Sequence, residues 1–163
     1  MIEAASPHAY HPFMAWIDLH IDTLWAMRRL GADPVAEASG LHVDLPRLQA
    51  VDLRLAIWAI WVEADLHGPD ATALALRMLG AGQALPGQSD GRLQAILGPD
   101  DLERCLAGEA SGMLLGLEGA HPLQGNLEML RGFHALGLRV LTLTWNNSNA
   151  FASGCATEPH EDH

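Results

Sequence analysis

The run Leu53 to Val62, Leu-Arg-Leu-Ala-Ile-Trp-Ala-Ile-Trp-Val, is apolar at nearly every position. A surface helix keeps a polar side and a half-exposed strand alternates, so neither suits it. A strand covered on both faces does, and such strands belong to parallel sheets flanked by helices. The rest of the chain fits around it. Ala15 to His20 reads as a short strand, and Thr23 to Leu30 as a helix that Gly31 stops. Asp70 caps a helix running to about Leu79. Gln94 to Leu97 is a short extended piece, and Asp100 with Glu103 makes a capping-box-like start for a helix through Ala107. Gly112 to Leu117 is another buried strand, Asn126 to Leu136 a helix ended by Gly137, and Val140 to Thr144 the last long strand. Strand and helix alternate, which predicts a parallel α/β sheet. An open doubly wound sheet and a (βα) barrel both start this way, and periodicity does not separate them. No GxGxxG follows the first strand and no GxxxxGK[ST] occurs, which counts against the nucleotide-binding versions of the open sheet.

Composition narrows the function classes. The 163 residues are 49% hydrophobic, enough for one domain with a core, and no linker, repeat or low-complexity tract divides them. Residues 1–14 are expected to be irregular. Nine Lys and Arg stand against 20 Asp and Glu, a formal charge of -11, with no cationic cluster, so nucleic acid is not an expected partner. Two cysteines, Cys105 and Cys155, are too few for a disulfide framework and fit a reducing compartment. Without a CxxC pair a thiolate zinc site is excluded. The N-terminus lacks a basic start followed by a long apolar run, and no stretch reaches the roughly 18 apolar residues of a membrane span. The expectation is a cytoplasmic protein with no membrane span.

The polar residues that carry chemistry follow the strands, where ligands bind in parallel α/β folds. His20 and Asp22 come just past the first, Glu118 past the third long strand, and Trp145, Asn146, Asn147 and Asn149 past the fourth. In an extended segment residues two apart share a side, so His20 and Asp22 can hold one divalent ion. Glu118 has two oxygens and could bridge a metal pair. Asp18 could orient the His20 ring from behind. Each also has a structural reading. An isolated HxD is weak, Glu118 could be a helix N-terminal carboxylate, Asp18 could cap a turn, and the asparagines could be turn formers. His121 reads as loop packing before catalysis, His160 and His163 as polar loop residues, and Trp58 and Trp61 as core or barrel wall.

Taken together these segments resemble a known family. Ile17-Asp18-Leu19-His20-Ile21-Asp22-Thr23-Leu24 is similar to the opening D-x-H-x-D-x-L of the membrane (renal) dipeptidases, peptidase family M19. Leu115 to His121 resembles the family's metal-bridging GxEGGH segment, Gly137 to Thr144 its LGxRxLTLT strand, and Asn146 to Ala152 the N-x-x-N-x-x-A loop that follows. The resemblance runs from about Trp16 onward. It implies a (βα)8 TIM-barrel metal-dependent hydrolase fold and a binuclear zinc site. It also implies hydrolysis of dipeptides by a metal-bound hydroxide, often with tolerance for a D-residue at the C-terminal position. His20 and Asp22 would bind the more buried zinc. Glu118 would bridge both and shuttle a proton, and Trp145 and Asn146 would meet the substrate.

Two departures shape the expectations. The family often has His directly after the LTLT strand, where this chain has Trp145, which offers one N–H donor and no acceptor. The family takes the second zinc's two His ligands, and a substrate-binding Arg and Asp, from later strands, whereas these 163 residues fall well short of the roughly 250 that a barrel needs. The chain is therefore expected to be an incomplete single domain, the first half of a barrel with an open strand edge. By itself it should self-associate or form a homodimer, bind one zinc weakly and turn over little dipeptide. The alternatives are an amidohydrolase-type hydrolase of another amide and a non-catalytic remnant.

Overall fold

The computed structural model describes residues 15–36 and 39–156. Five strands and five helices follow one another as β1 (Trp16–Ile21), α1 (Thr23–Leu30), α2 (Leu45–Ala50), β2 (Leu53–Trp61), α3 (Gly68–Gln88), β3 (Leu93–Ala95), α4 (Pro99–Ala107), β4 (Ser111–Glu118), α5 (Leu127–Ala135) and β5 (Leu138–Thr142). A 3-10 turn, His121–Leu123, lies between β4 and α5. The expected position 1–14 and the terminal His160 and His163 lie outside the described residues.

Every strand pairing is parallel. β2 sits between β1 and β4, and β5 pairs with the upper half of β4, while the short β3 pairs with its lower end. The four long strands therefore neighbour one another in chain order. A doubly wound sheet reverses its order at a switch point, and this sheet does not. Sequential parallel strands with α1, α2, α3 and α5 on one side are the first part of a barrel wall.

Side-chain parity shows which face is which. Ala56, Trp58 and Ile60 of β2 and Met113, Leu115 and Leu117 of β4 pair across the strands and are buried in the main core. Leu24 of α1, Leu45 and Leu48 of α2, Leu74 and Leu79 of α3, and Phe133 of α5 close over them. The opposite face carries Ile57 and Ala59 of β2 and Gly116 and Glu118 of β4. Only its lower end is covered, where Cys105 of α4 meets Leu55 and Ile96. The upper part is open, with Ile17 and Leu19 50% and 69% exposed.

Several boundaries differ from the sequence reading. α3 continues nine residues beyond Leu79, through Gly80, Gly82 and Pro86, and begins at Gly68 with His67 as N-cap. Its glycine is a packing device: a Cβ on Gly82 would stand 2.8 Å from Leu115 Cδ2 and 3.3 Å from Leu24, so its absence lets the helix lie close to the sheet. Tertiary contact there overrides poor helix propensity. In α4 the carboxylate that reaches back belongs to Asp101, which accepts from the N–H groups of Leu97 and Gly98, and not to Glu103. α2 is an additional short helix, and Asp44 caps it by accepting from the Arg47 N–H. β5 starts and ends two residues earlier than expected.

Candidate metal centre

Three donors meet at the upper rim of the open face. Nε2 of His20 lies 3.5 Å from Asp22 Oδ1 and 3.4 Å from Glu118 Oε2. One donor atom from each residue lies within 4.8 Å of the others. Each arrives by a different route. His20 comes from β1, near its end. Asp22 is past the strand, at the N-cap of α1 with φ -91° and ψ 23°, so the extended spacing expected from HxD does not describe it. An Asp at that position ordinarily accepts a backbone N–H of the first turn. Here its side chain makes no capping bond and is left for the rim. Glu118 ends β4, level with Trp61 of β2 and Thr142 of β5.

The turn after Glu118 is tied to β5. The Gly119 N–H donates to the Thr142 carbonyl at 3.2 Å and its hydroxyl at 3.1 Å, and the Ala120 N–H to the Leu143 carbonyl at 3.0 Å. Gly119 has φ +84°, a left-handed conformation that glycine accepts without strain, and a Cβ there would meet His121 Nδ1 at 3.2 Å. His121 packs beneath this turn. Among the described residues neither ring nitrogen makes a hydrogen bond of good geometry, and burial, then the neighbouring His67, pushes its pKa down against a looser contact with the Glu63 main chain.

Burial also pushes the Glu118 carboxyl upward; nearby His20 opposes this and Asp22 adds to it. Two carboxylates around one imidazole, one of them partly desolvated, leave an excess of negative charge that a cation would neutralise. The donor set, one ring nitrogen and two carboxylates, suits a divalent ion. Donors 2.0–2.2 Å from a tetrahedral zinc stand about 3.3–3.6 Å apart. The two separations from His20 Nε2 fall in that interval.

A cleft of about 330 Å³ opens beside the donors, lined by His20, Asp22, Trp25, Trp61, Glu118 and Trp145. The indole of Trp61 is edge-on to both neighbours, 6.0 Å from Trp25 and 5.3 Å from Trp145. Trp25 donates to Glu63 Oε1, which also pairs with Arg28. Burial would raise the Glu63 pKa, but these bonds and its own backbone N–H hold it below the ordinary value.

Other candidates sit differently. The carboxylate of Asp18 accepts the main-chain N–H of His20 at 2.9 Å. Asn146 does not line the cleft; its side-chain oxygen accepts from the Cys155 thiol at 3.4 Å. Asn149 is a turn former, donating to the Leu143 carbonyl and accepting from the Phe151 N–H. Trp58 is core, as read, whereas Trp61 is half-buried at the cleft. Trp25 was missed; its signal is its place one helical turn after Asp22.

The profile of the membrane dipeptidase family (peptidase family M19) matches residues 7–163. The chain belongs to that family. A relative, dipeptidase tcpJ of Claviceps purpurea, is 24% identical over 94% of this chain and 36% of its own length. Among solved structures, the M19 metallo peptidase dipeptidase AC is 25% identical with a TM-score of 0.75, over 82% of this chain and 43% of that one. A metallo peptidase from Rhodobacter sphaeroides, liganded with a phosphinate mimic of the dipeptide L-Ala-D-Ala, is 23% identical with a TM-score of 0.75, over 82% and 46%. This membrane dipeptidase family chain thus spans less than half the length of these relatives. No helix among its described residues is long and apolar enough to cross a membrane.

Proposed function

We propose that this chain forms the metal-gripping rim of a zinc-dependent dipeptidase, with His20, Asp22 and Glu118 as donors. The observation that supports this is the mutual approach of one imidazole and two carboxylates at the strand ends of a membrane dipeptidase family chain. A divalent ion held there supplies Lewis acidity, which polarises a carbonyl and makes water a nucleophile near neutral pH. Glu118, with its raised pKa, is suited to accept the proton of the attacking water and return it to the leaving amine. Asp22, free of capping duty, keeps its carboxylate aimed at the rim. The indoles of Trp25, Trp61 and Trp145 wall the cleft. Trp145 can pack on a substrate or donate one N–H, but it cannot act as a base. Asn146, held by Cys155, would act on the substrate only through its loop.

The substrate class is a dipeptide, including those with a C-terminal D-residue, in line with the ligand of the Rhodobacter sphaeroides relative. For the 163 residues alone we expect one weakly held ion and little turnover, because the described residues offer this one donor cluster. A cytoplasmic location belongs to the same proposal, since Cys105 and Cys155 are both free thiols. Zinc competition against a chromophoric chelator tests the centre. One equivalent should bind, and Asp22→Ala should weaken it more than about 100-fold. Unchanged binding in Asp22→Ala would remove the proposal.

A further inference from the structure

β1 carries one residue more than its partner between Asp18 and Ile21. Asp18 is level with Ala56 and Ile21 with Trp58, so Leu19 and His20 together face the single residue Ile57. Unbroken alternation would set His20 level with Trp58, whose side chain is fully buried among the helices. An imidazole delivered there would lie across the sheet from Glu118. The extra residue gives that place to Ile21, which is 4% exposed and part of the core. It leaves His20 on the open face, 3.4 Å from the Glu118 carboxylate. Bulges of this kind re-aim side chains, and the residue they insert falls out of the regular ladder, so its amide needs another acceptor. The Asp18 side chain supplies that acceptor, taking the His20 N–H at 2.9 Å.

We infer that Asp18 is a positioning residue: its carboxylate oxygen pins the β1 bulge through the main-chain N–H of His20 and so fixes the face to which the imidazole is presented. The inference rests on the metal-centre reading. It differs from a role in which Asp18 acts by its charge, on the ring or on the ion. An asparagine keeps the acceptor and loses the charge, whereas an alanine loses both.

The experiment compares the unaltered chain with Asp18→Asn and Asp18→Ala. It measures zinc affinity by chelator competition and, without metal, hydrogen exchange at the His20 amide. Asp18→Asn should bind zinc within about fivefold of the unaltered chain, a neutral acceptor being weaker than a charged one. Asp18→Ala should bind about 10–100-fold more weakly. The His20 amide should be protected in the unaltered chain and in Asp18→Asn, and exchange faster in Asp18→Ala. Equal loss of zinc affinity in both variants overturns the inference, as does unchanged affinity or amide protection in Asp18→Ala. Should Asp18→Ala fail to fold, Asp18→Asn decides alone: retained affinity and protection support the inference, and loss of either overturns it. If the unaltered chain binds no zinc, the metal-centre reading fails, while amide exchange still judges the bulge.

Discussion

His20 and Asp22 stand two residues apart, yet one is presented by a bulged strand and the other by a helix N-cap. Their residue types were legible in the sequence, and so was the distant Glu118. The geometry that joins them was not, because an inserted residue leaves no mark in an apolar pattern. The aromatic lining was half legible. Trp58 and Trp61 sit in the same run, but they are three apart in a strand and therefore face opposite sides. His121 gives a prediction at this scale. Burial depresses its pKa in the fold, so the neutral ring contributes stability above the unfolded histidine's pKa, and that contribution is lost as pH falls through the folded value. Thermal unfolding followed from about pH 7 to about pH 5 should show a falling midpoint, and His121→Gln should flatten that fall. An unchanged slope in His121→Gln would mean that the ring takes up its proton without penalty.

Among the elements, those that were read well are the ones whose signal is local. α1 ends at Gly31 in a left-handed conformation, and Asn126 caps α5 by accepting the Glu128 N–H. α3 outruns its sequence signal because its glycines look like breakers until the sheet beneath them is seen. The doubt between an open sheet and a barrel was settled by strand order, a long-range property that hydrophobic periodicity does not encode. Close approach also governs the contact of α4 with β4. A Cβ on Gly112 would stand 2.9 Å from the Arg54 carbonyl oxygen and 3.1 Å from Cys105 Cβ. The main chain cannot yield as a side-chain tip does, so Gly112→Ala should destabilise the chain by about 1–3 kcal/mol in urea unfolding. Since Gly112 is at the far end of β4 from Glu118, zinc affinity of the folded variant should stay unchanged.

The molecule as a whole is asymmetric. One face of its sheet is sealed by helices, and the other shows Ile17 and Leu19, each at least half exposed. Exposed apolar surface of this kind drives association. The 163-residue chain made alone should sediment as a dimer or larger species, above its monomer mass of 17.5 kDa. The pair Ile17→Lys and Leu19→Lys should shift it toward monomer, and an unaltered chain already monomeric at about 100 μM would contradict this. The three indoles at the rim have a practical consequence. Rings 5.3 and 6.0 Å apart are close enough for their excited states to couple, and all three border the same cleft. The centre therefore carries a built-in chromophore, whose ultraviolet dichroism and emission report what enters it without any attached dye.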